Sequence, residues 1–175
     1  MALEIGSLLH NRYRVIEIIA RGGMGAIYRA QDESLGVQVA IKENLFFSEE
    51  SSRQFRREAT LLAGLRHPNL PRVTDHFSFA GQGQYLVMDF IEGQDIRERL
   101  KSQKNLNEDE VLQIGVAVCD ALDYLHNQTP PVIHRDIKPG NIKITPTGQV
   151  FLVDFGLAKV AAAGQATTTG AQALT

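Results

Sequence analysis

The chain has 175 residues, of which 43% are hydrophobic, a formal net charge of −2 and a single cysteine. One cysteine excludes an internal disulfide, and a charge so close to zero argues against general nucleic-acid binding. No apolar run approaches the ~20 residues needed to cross a bilayer, and residues 1–9 lack the basic region and apolar core of a secretion signal. The composition therefore predicts a soluble, cytoplasmic protein with no membrane segment of its own.

A glycine-rich hairpin is predicted near the N-terminus. Residues 13–19 and 26–30 alternate between apolar and polar, and the sequence RGGMG lies between them. Without Cβ atoms, the backbone N–H groups of such a turn can approach a phosphate closely. Taken alone, the pattern fits equally well a hairpin that binds nothing.

The next strand and helix carry a lysine and a glutamate. Residues 39–42 (VAIK) are predicted to form a strand, on which alternation sends Ala40 and Lys42 to one face. A solvated lysine on an edge strand is the alternative. Residues 51–65 are predicted to form a helix, with Ser51 and Gln54 as its capping box, and Glu58 lies on its core flank. Its apolar positions recur at helical spacing: Phe55, Ala59, Leu62 and Leu65.

Further elements follow in order. Residues 76–90 are predicted to form a hairpin around Gly81–Gly83, and residues 96–101 a helix capped by Asp95. A long helix is predicted from its cap at Asn107. Its wide apolar face predicts burial, with Cys119 as a core residue.

The strongest signal is the string HRDIKPGN at residues 134–141, followed by DFG at 154–156. Oxygen atoms are the ligands that Mg²⁺ prefers, so Asp154 and the side-chain oxygen of Asn141 are the candidate metal ligands, with Mn²⁺ as an alternative ion. Asp136 is then available to position an attacking hydroxyl, and Lys138 to reach a transferred phosphate as a point charge.

These two motifs resemble the catalytic loop and metal motif of eukaryotic-type (Hanks-type) serine/threonine protein kinases, and bacterial members most of all. The resemblance implies an α+β, two-lobed fold. Residues 1–91 would form the small lobe, an antiparallel sheet plus one helix. Residues 92–160 would form a mainly helical and incomplete large lobe, and residues 161–175 the start of an activation segment.

The same resemblance implies a role for each site residue. Asp136, Lys138 and Lys42 would be catalytic, together with Glu58 as the ion-pair partner of Lys42. Residues 88–91 resemble the hinge of the family, and Asp95 would either contact the ribose or only cap its helix. Gly22 and Gly25 match two loop glycines of the family, and Ala20 stands where the first is usual. The residues implied in binding ATP are Ile19, Gly22, Gly23, Gly25, Ile27, Ala40, Lys42, Met88, Asp89, Ile91, Asp95 and Asn141.

The expected function is phosphoryl transfer from Mg·ATP to Ser or Thr hydroxyls of proteins. Autophosphorylation is expected among Thr167, Thr168, Thr169 and Thr175, with Arg135 as the partner of the phosphate. No APE motif follows the DFG, so we expect a domain truncated in its large lobe, with inactivity of this fragment as one alternative. The resemblance implies that a longer parent protein often carries further domains or a membrane anchor. The exposed apolar surface of the long helix would be one consequence of the truncation. The alternatives are a nucleotide-binding pseudokinase or regulatory module and a small-molecule phosphotransferase.

Overall fold

The computed structural model describes residues 3–22, 25–45, 49–79, 83–103, 105–154 and 159–160. Its first half contains a six-stranded antiparallel sheet in the order β1-β2-β3-β4-β6-β5. The strands are β1 (Leu8–Leu9), β2 (Tyr13–Gly22), β3 (Gly25–Asp32), β4 (Val37–Asn44), β5 (Val73–Phe79) and β6 (Gly83–Asp89). All the strands predicted in this half are present.

The glycine-rich hairpin joins β2 to β3, and Gly22 lies opposite Gly25 in its register. Gly25 has a φ of +146°, and a Cβ atom there would lie 2.0 Å from the carbonyl oxygen of Glu43 on β4. Only glycine fits this close approach of two backbones. The backbone at Gly25 is therefore pressed against the strand that carries Lys42.

Ala20 occupies the position where the kinase family usually has its first loop glycine. It pairs with Ile27 and follows an irregularity in the register after Ile18. Its φ is not positive, so the backbone here does not require glycine and alanine is accommodated without strain.

A buried carboxylate lies beneath the sheet. Glu43 is 2% exposed and accepts hydrogen bonds from the hydroxyls of Tyr28 (2.8 Å) and Tyr85 (3.1 Å). Burial and the bond to Glu43 raise the pKa of Tyr28 to about 12. Because both phenols stay protonated, they keep satisfying the buried acid, which ties β3, β4 and β6 together.

Helix α1 spans Glu49–Gly64, between β4 and β5. It begins two residues before the predicted start, so Ser51 lies inside the helix and the prediction that it is the N-cap is wrong. A Ser-x-x-Gln pattern can occur within a first turn as well as before it, and the local sequence does not distinguish the two. The predicted core face is confirmed, since Ala59, Leu62 and Leu65 are buried.

The second half is mainly helical, with short strands. It comprises β7 (Gln94–Asp95), α2 (Ile96–Gln103), α3 (Glu108–His126), β8 (Val132–Ile133), a 3₁₀ turn (Pro139–Asn141), β9 (Ile142–Ile144), β10 (Val150–Leu152) and β11 (Lys159–Val160). Strands β10, β9 and β7 form one small sheet, and β11 pairs with β8. The predicted α+β class is confirmed.

Both predicted helix caps of this half are present. The Asp95 carboxylate accepts the N–H of Glu98 (2.8 Å), and the Glu98 carboxylate accepts the N–H of Asp95 (3.0 Å). Asn107 and Glu110 form the same reciprocal pair at the start of α3. Each cap satisfies two backbone donors that the first helical turn leaves open.

Helix α3 is buried on only one of its faces. Ile114, Val118, Ala121 and Leu125 are buried, whereas Val111, Leu112 and Val116 are 52%, 59% and 69% exposed. Cys119 is also exposed, so its predicted place in the core is wrong. The expected apolar surface on this helix is confirmed.

Within the described ranges, no helix combines the length and apolarity needed to cross a bilayer.

One hydrophobic cluster joins the two halves of the chain. It contains Leu62 of α1 and Met88 of β6 together with Leu125 of α3 and Leu152 of β10. The sheet of the first half and the helices of the second half therefore share one core, and the lobe boundary near residue 91 remains a prediction. This continuity fixes the sheet relative to the loops that follow α3.

Candidate active site

The predicted catalytic loop lies between β8 and β9 and is organised around Asp136. One oxygen of its carboxylate, Oδ2, accepts hydrogen bonds from Lys138 Nζ (2.7 Å) and Asn141 Nδ2 (2.9 Å). The bond from Lys138 is the main reason that the pKa of Asp136 lies below its usual value. Asp136 is therefore ionised at neutral pH, which suits it to orienting a hydroxyl more than to strong base catalysis.

Asn141 is held in one orientation by its amide nitrogen. Nδ2 donates to the carbonyl oxygen of Asp136 (2.8 Å) as well as to its carboxylate. The amide oxygen is then the atom that faces away from Asp136 and can bind a cation. The residue is 6% exposed, because the 3₁₀ turn draws it inward.

A backbone hydrogen bond brings the second predicted metal ligand beside the first. The N–H of Val153 donates to the carbonyl oxygen of Asn141 (2.8 Å), which places Asp154 next to the catalytic loop. In the described ranges, no three His, Cys, Asp or Glu side chains form a metal-binding group. One carboxylate and one amide oxygen fit Mg²⁺, which commonly completes its coordination with water and substrate phosphates.

Lys42 has a different partner from the one predicted. Its ammonium lies 2.5 Å from Asp154 Oδ1, and the two side chains are 24% and 25% exposed. The predicted ion pair of Lys42 with Glu58 is thus not the one that the structure contains. Glu58 is half-buried on the core flank of α1, as expected. Asp154 is distant from Lys42 in sequence, and no local pattern reveals such a contact.

Two residues of the site have a left-handed backbone without being glycine. Arg135 has a φ of 65° and Asp154 a φ of 63°. Such conformations cost about 1–3 kcal/mol each and persist where the surrounding structure imposes them. Asp154 is itself a candidate metal ligand and Arg135 precedes Asp136, so the backbone is strained at the positions that orient these carboxylates.

Three residues implied in binding ATP lie on neighbouring strands: Ile27 on β3, Ala40 on β4 and Met88 on β6. Ala40 is paired with Met88, and Ile27 with Lys42. Ala40 and Lys42 are half-buried and alternate with fully buried neighbours on β4, so they share the face opposite the core of the sheet. Ile19 is 45% exposed near the end of β2.

The predicted hinge, residues 88–91, begins in the last two residues of β6. The N–H of Asp89 donates to the carbonyl oxygen of Arg72 (3.0 Å), and the Asp89 carboxylate also binds Arg72. Of the two backbone groups of Asp89, the carbonyl oxygen is therefore the one left to contact the nucleotide base. Asp95 is 6% exposed and caps α2, while its second carboxylate oxygen accepts from Arg97 (3.2 Å). Its predicted ribose contact remains a prediction.

Several predicted site residues lie outside the described ranges. They are Gly23 of the hairpin turn, Phe155 and Gly156 of the DFG motif, and Thr167, Thr168, Thr169 and Thr175.

Asn69 is a positioning residue that the sequence prediction missed. Its side-chain nitrogen donates to the carbonyl oxygen of Val150, and its own carbonyl oxygen accepts the N–H of Leu152, both at 2.8 Å. These bonds fix β10, the strand that leads directly to Asp154. Asn69 lies two residues after His67, whose ring accepts the N–H of Asn69 (3.2 Å). The available signal in the sequence was the position of Asn69, a side-chain amide shortly after the end of α1.

His134 is 1% exposed and supports the catalytic loop in its neutral form. Its Nε2 lies 3.2 Å from the carbonyl oxygen of Val153, so it must donate, and its Nδ1 accepts the N–H of Asp136 (3.4 Å). A protonated ring could not accept that bond. Burial is the main cause that lowers the pKa of His134 from its usual 6.5.

Because His134 is buried in its neutral form, we expect the protein to lose folding stability in mild acid. Below pH 6.5 the unfolded chain takes up a proton at His134 that the folded chain does not, so stability falls as the pH is lowered. The slope contributed by this residue is at most about 1.4 kcal/mol per pH unit. We expect urea unfolding of His134→Asn, compared between pH 7.5 and 5, to show a shallower decline than the unsubstituted chain. Equal slopes in the two proteins would contradict the assignment.

Comparison with known proteins agrees with this geometry. The protein kinase domain model matches residues 13–174. The serine/threonine-protein kinase PknA of Mycobacterium tuberculosis is 39% identical, over 97% of this chain and 41% of the relative. A probable serine/threonine-protein kinase PknB of Lactococcus lactis is 37% identical, over 90% of this chain and 25% of the relative. The chain thus spans between a quarter and two fifths of these relatives, and the domain match covers nearly all of it. We conclude that the chain belongs to the protein kinase domain family.

Proposed function

We propose that this domain transfers the γ-phosphoryl group of ATP to serine or threonine hydroxyls of proteins. The observation that carries the proposal is the bond between Val153 and Asn141, which joins the Asp154 segment to the loop that holds Asp136. A candidate metal pair and a candidate hydroxyl-orienting group thereby lie in one cluster. Phosphoryl transfer requires little more than positioning and charge neutralisation by such groups.

Each side chain has a role that follows from its contacts. Asp136 is ionised and would accept the hydrogen bond of the substrate hydroxyl, which orients the nucleophile. Lys138, 55% exposed beside it, can follow the transferred phosphate as charge builds on its oxygens. Lys42 would neutralise the inner phosphates. Asp154 and Asn141 would hold Mg²⁺, which when bound supplies further neutralisation of the phosphates.

The choice of serine and threonine as acceptors rests on two supports. The curated relatives are named serine/threonine-protein kinases, and Lys138 matches the serine/threonine-directed form of the catalytic loop. A tyrosine or small-molecule acceptor has no comparable support among the described residues.

The test is Mg²⁺-dependent transfer of labelled phosphate from ATP to the chain itself and to a generic basic protein. We expect transfer by the unsubstituted chain and a loss of about 100-fold or more in Lys42→Met, because the inner phosphates lose their cation. Lys101→Met is the matched control, since Lys101 is exposed on α2, and it should retain full transfer. Mapping the label would show whether Thr167, Thr168, Thr169 or Thr175 is modified.

One observation favours a second candidate, a domain that binds nucleotide without turnover. Lys42 contacts Asp154, and the pair with Glu58 that marks the active position of α1 in the family is not the one formed. A rise in melting temperature with Mg·ATP and no transfer to any protein would favour this candidate. Transfer that disappears in Lys42→Met would exclude it.

A further inference from the structure

An arginine of α2 lies against the turn that ends the predicted catalytic loop. A Cβ atom placed on Gly140 would lie 3.7 Å from both Cζ and Nη2 of Arg97, so the guanidinium covers the side of this glycine. Gly140 belongs to the 3₁₀ turn, and the next residue, Asn141, donates to the Asp136 carboxylate (2.9 Å). The cation therefore lies one residue away from a group that holds the proposed hydroxyl-orienting side chain.

Most of this guanidinium is available to a ligand. The Arg97 side chain is 65% exposed, and its Nη2 donates to Oδ2 of Asp95 (3.2 Å). A guanidinium has five N–H donors, and among the described residues the other four have no hydrogen-bond partner. Asp95 is buried, and its other oxygen accepts the N–H of Glu98. The carboxylate is thus turned inward and the cation faces the solvent.

The charges beside Arg97 favour an acidic ligand. Asp136 and Lys138 form an ion pair (2.7 Å), so their charges largely offset each other. Gly140 has no side chain that could neutralise the guanidinium from the side of the loop. A chain that approaches Asp136 from the side of α2 therefore meets an exposed cation. A guanidinium binds a carboxylate through two parallel hydrogen bonds and repels lysine and arginine.

We propose that Arg97 selects protein substrates that carry a glutamate or aspartate close to the phosphorylated serine or threonine. The inference rests on the proposed function, in which Asp136 orients the substrate hydroxyl. Gly140 and Asn141 separate the guanidinium from that carboxylate, a distance of roughly 10 Å by the reach of two residues, and an extended substrate covers it in about three residues. In this role Arg97 contacts a side chain of the substrate and not the reacting hydroxyl, so it determines specificity.

The test compares acceptor peptides that differ in one charge. Each pair shares its sequence around a serine and carries glutamate or lysine at a single position, scanned over about four residues on either side. At the position that meets Arg97, we expect kcat/KM for the glutamate peptide to exceed that for the lysine peptide about three- to tenfold. Arg97→Met should abolish this preference and Arg97→Glu should reverse it. The preference should also shrink as the salt concentration rises, because the contact is exposed.

Two substitutions at Gly140 form a matched pair that leaves Arg97 in place. A Cβ atom here would meet the guanidinium at an ordinary van der Waals distance, and the φ of Gly140 is not positive, so a side chain can be accommodated. Gly140→Glu should pair with the guanidinium and remove the preference for the glutamate peptide, whereas Gly140→Ala should keep it. Arg57→Met, which removes an exposed arginine of α1, should select peptides like the unsubstituted chain.

The outcomes separate this inference from the function beneath it. Equal transfer to both members of every peptide pair, or a preference that Arg97→Met leaves unchanged, would overturn the role of Arg97 and leave the proposed function intact. A chain that transfers phosphate to no peptide would overturn the proposed function, and fluorescence anisotropy of the same peptides would then decide the inference. Tighter binding of the glutamate peptide that disappears in Arg97→Met would support an acidic ligand for Arg97, and equal Kd values would overturn it.

Discussion

Asp136→Asn should lower the rate of phosphoryl transfer by about 10²- to 10⁴-fold while leaving Mg·ATP binding nearly unchanged. The carboxylate is the group proposed to hold the substrate hydroxyl, and an amide carries no charge to orient it. The loop itself should survive the change, because Asn141 also donates to the backbone carbonyl of residue 136. Transfer of labelled phosphate and calorimetric binding of Mg·ATP measure the two effects separately.

Asp123→Asn provides the matched control for that change. Asp123 is an exposed residue of α3, so the same chemical substitution there should alter neither transfer nor binding. A rate reduced less than tenfold by Asp136→Asn, or a parallel loss of nucleotide binding, would argue against a role confined to the hydroxyl.

Asp154→Asn should remove the dependence of nucleotide binding on Mg²⁺. In the unsubstituted chain we expect tighter ATP binding with the metal than without it, because Asp154 is one of two proposed ligands. The variant loses a charged ligand and also the ion-pair partner of Lys42. Loss of the metal's charge at the phosphates should slow transfer about 10²- to 10³-fold.

Comparing the two variants makes this prediction specific. Asp136→Asn retains both proposed metal ligands, so its ATP binding should still strengthen with Mg²⁺. An equal metal effect in Asp154→Asn and in the unsubstituted chain would show that the metal is held by other groups.

Local signals in the sequence predicted most of the elements correctly. The hairpin around Gly22 and Gly25, the alternation of Ala40 and Lys42 on β4, and the cap at Asn107 each depend on a few neighbouring residues. Such patterns determine structure over one or two turns or a single strand pair. The start of α1 was misplaced because a capping pattern can recur one turn inside a helix.

Contacts between distant segments were harder to predict. The residues of the HRDIKPGN and DFG strings were identified by family resemblance, but the partner of Lys42 depends on how the Asp154 segment meets β4. Asn69 binds a backbone carbonyl, which every residue has, so no residue type in the sequence marks its target. The burial of only one face of α3 likewise depends on which elements pack against it.

The left-handed backbone at Asp154 affects the choice of substitutions used to inactivate the site. Asparagine tolerates a φ of 63° better than most side chains, whereas alanine retains the conformational cost and loses the carboxylate contacts that offset it. Glycine removes that cost altogether, so Asp154→Gly should be folded at least as well as Asp154→Ala while lacking the same ligand. Folding stability and phosphoryl transfer thus favour different residues at this position. A high melting temperature of an Asp154 variant therefore does not indicate that the variant transfers phosphate.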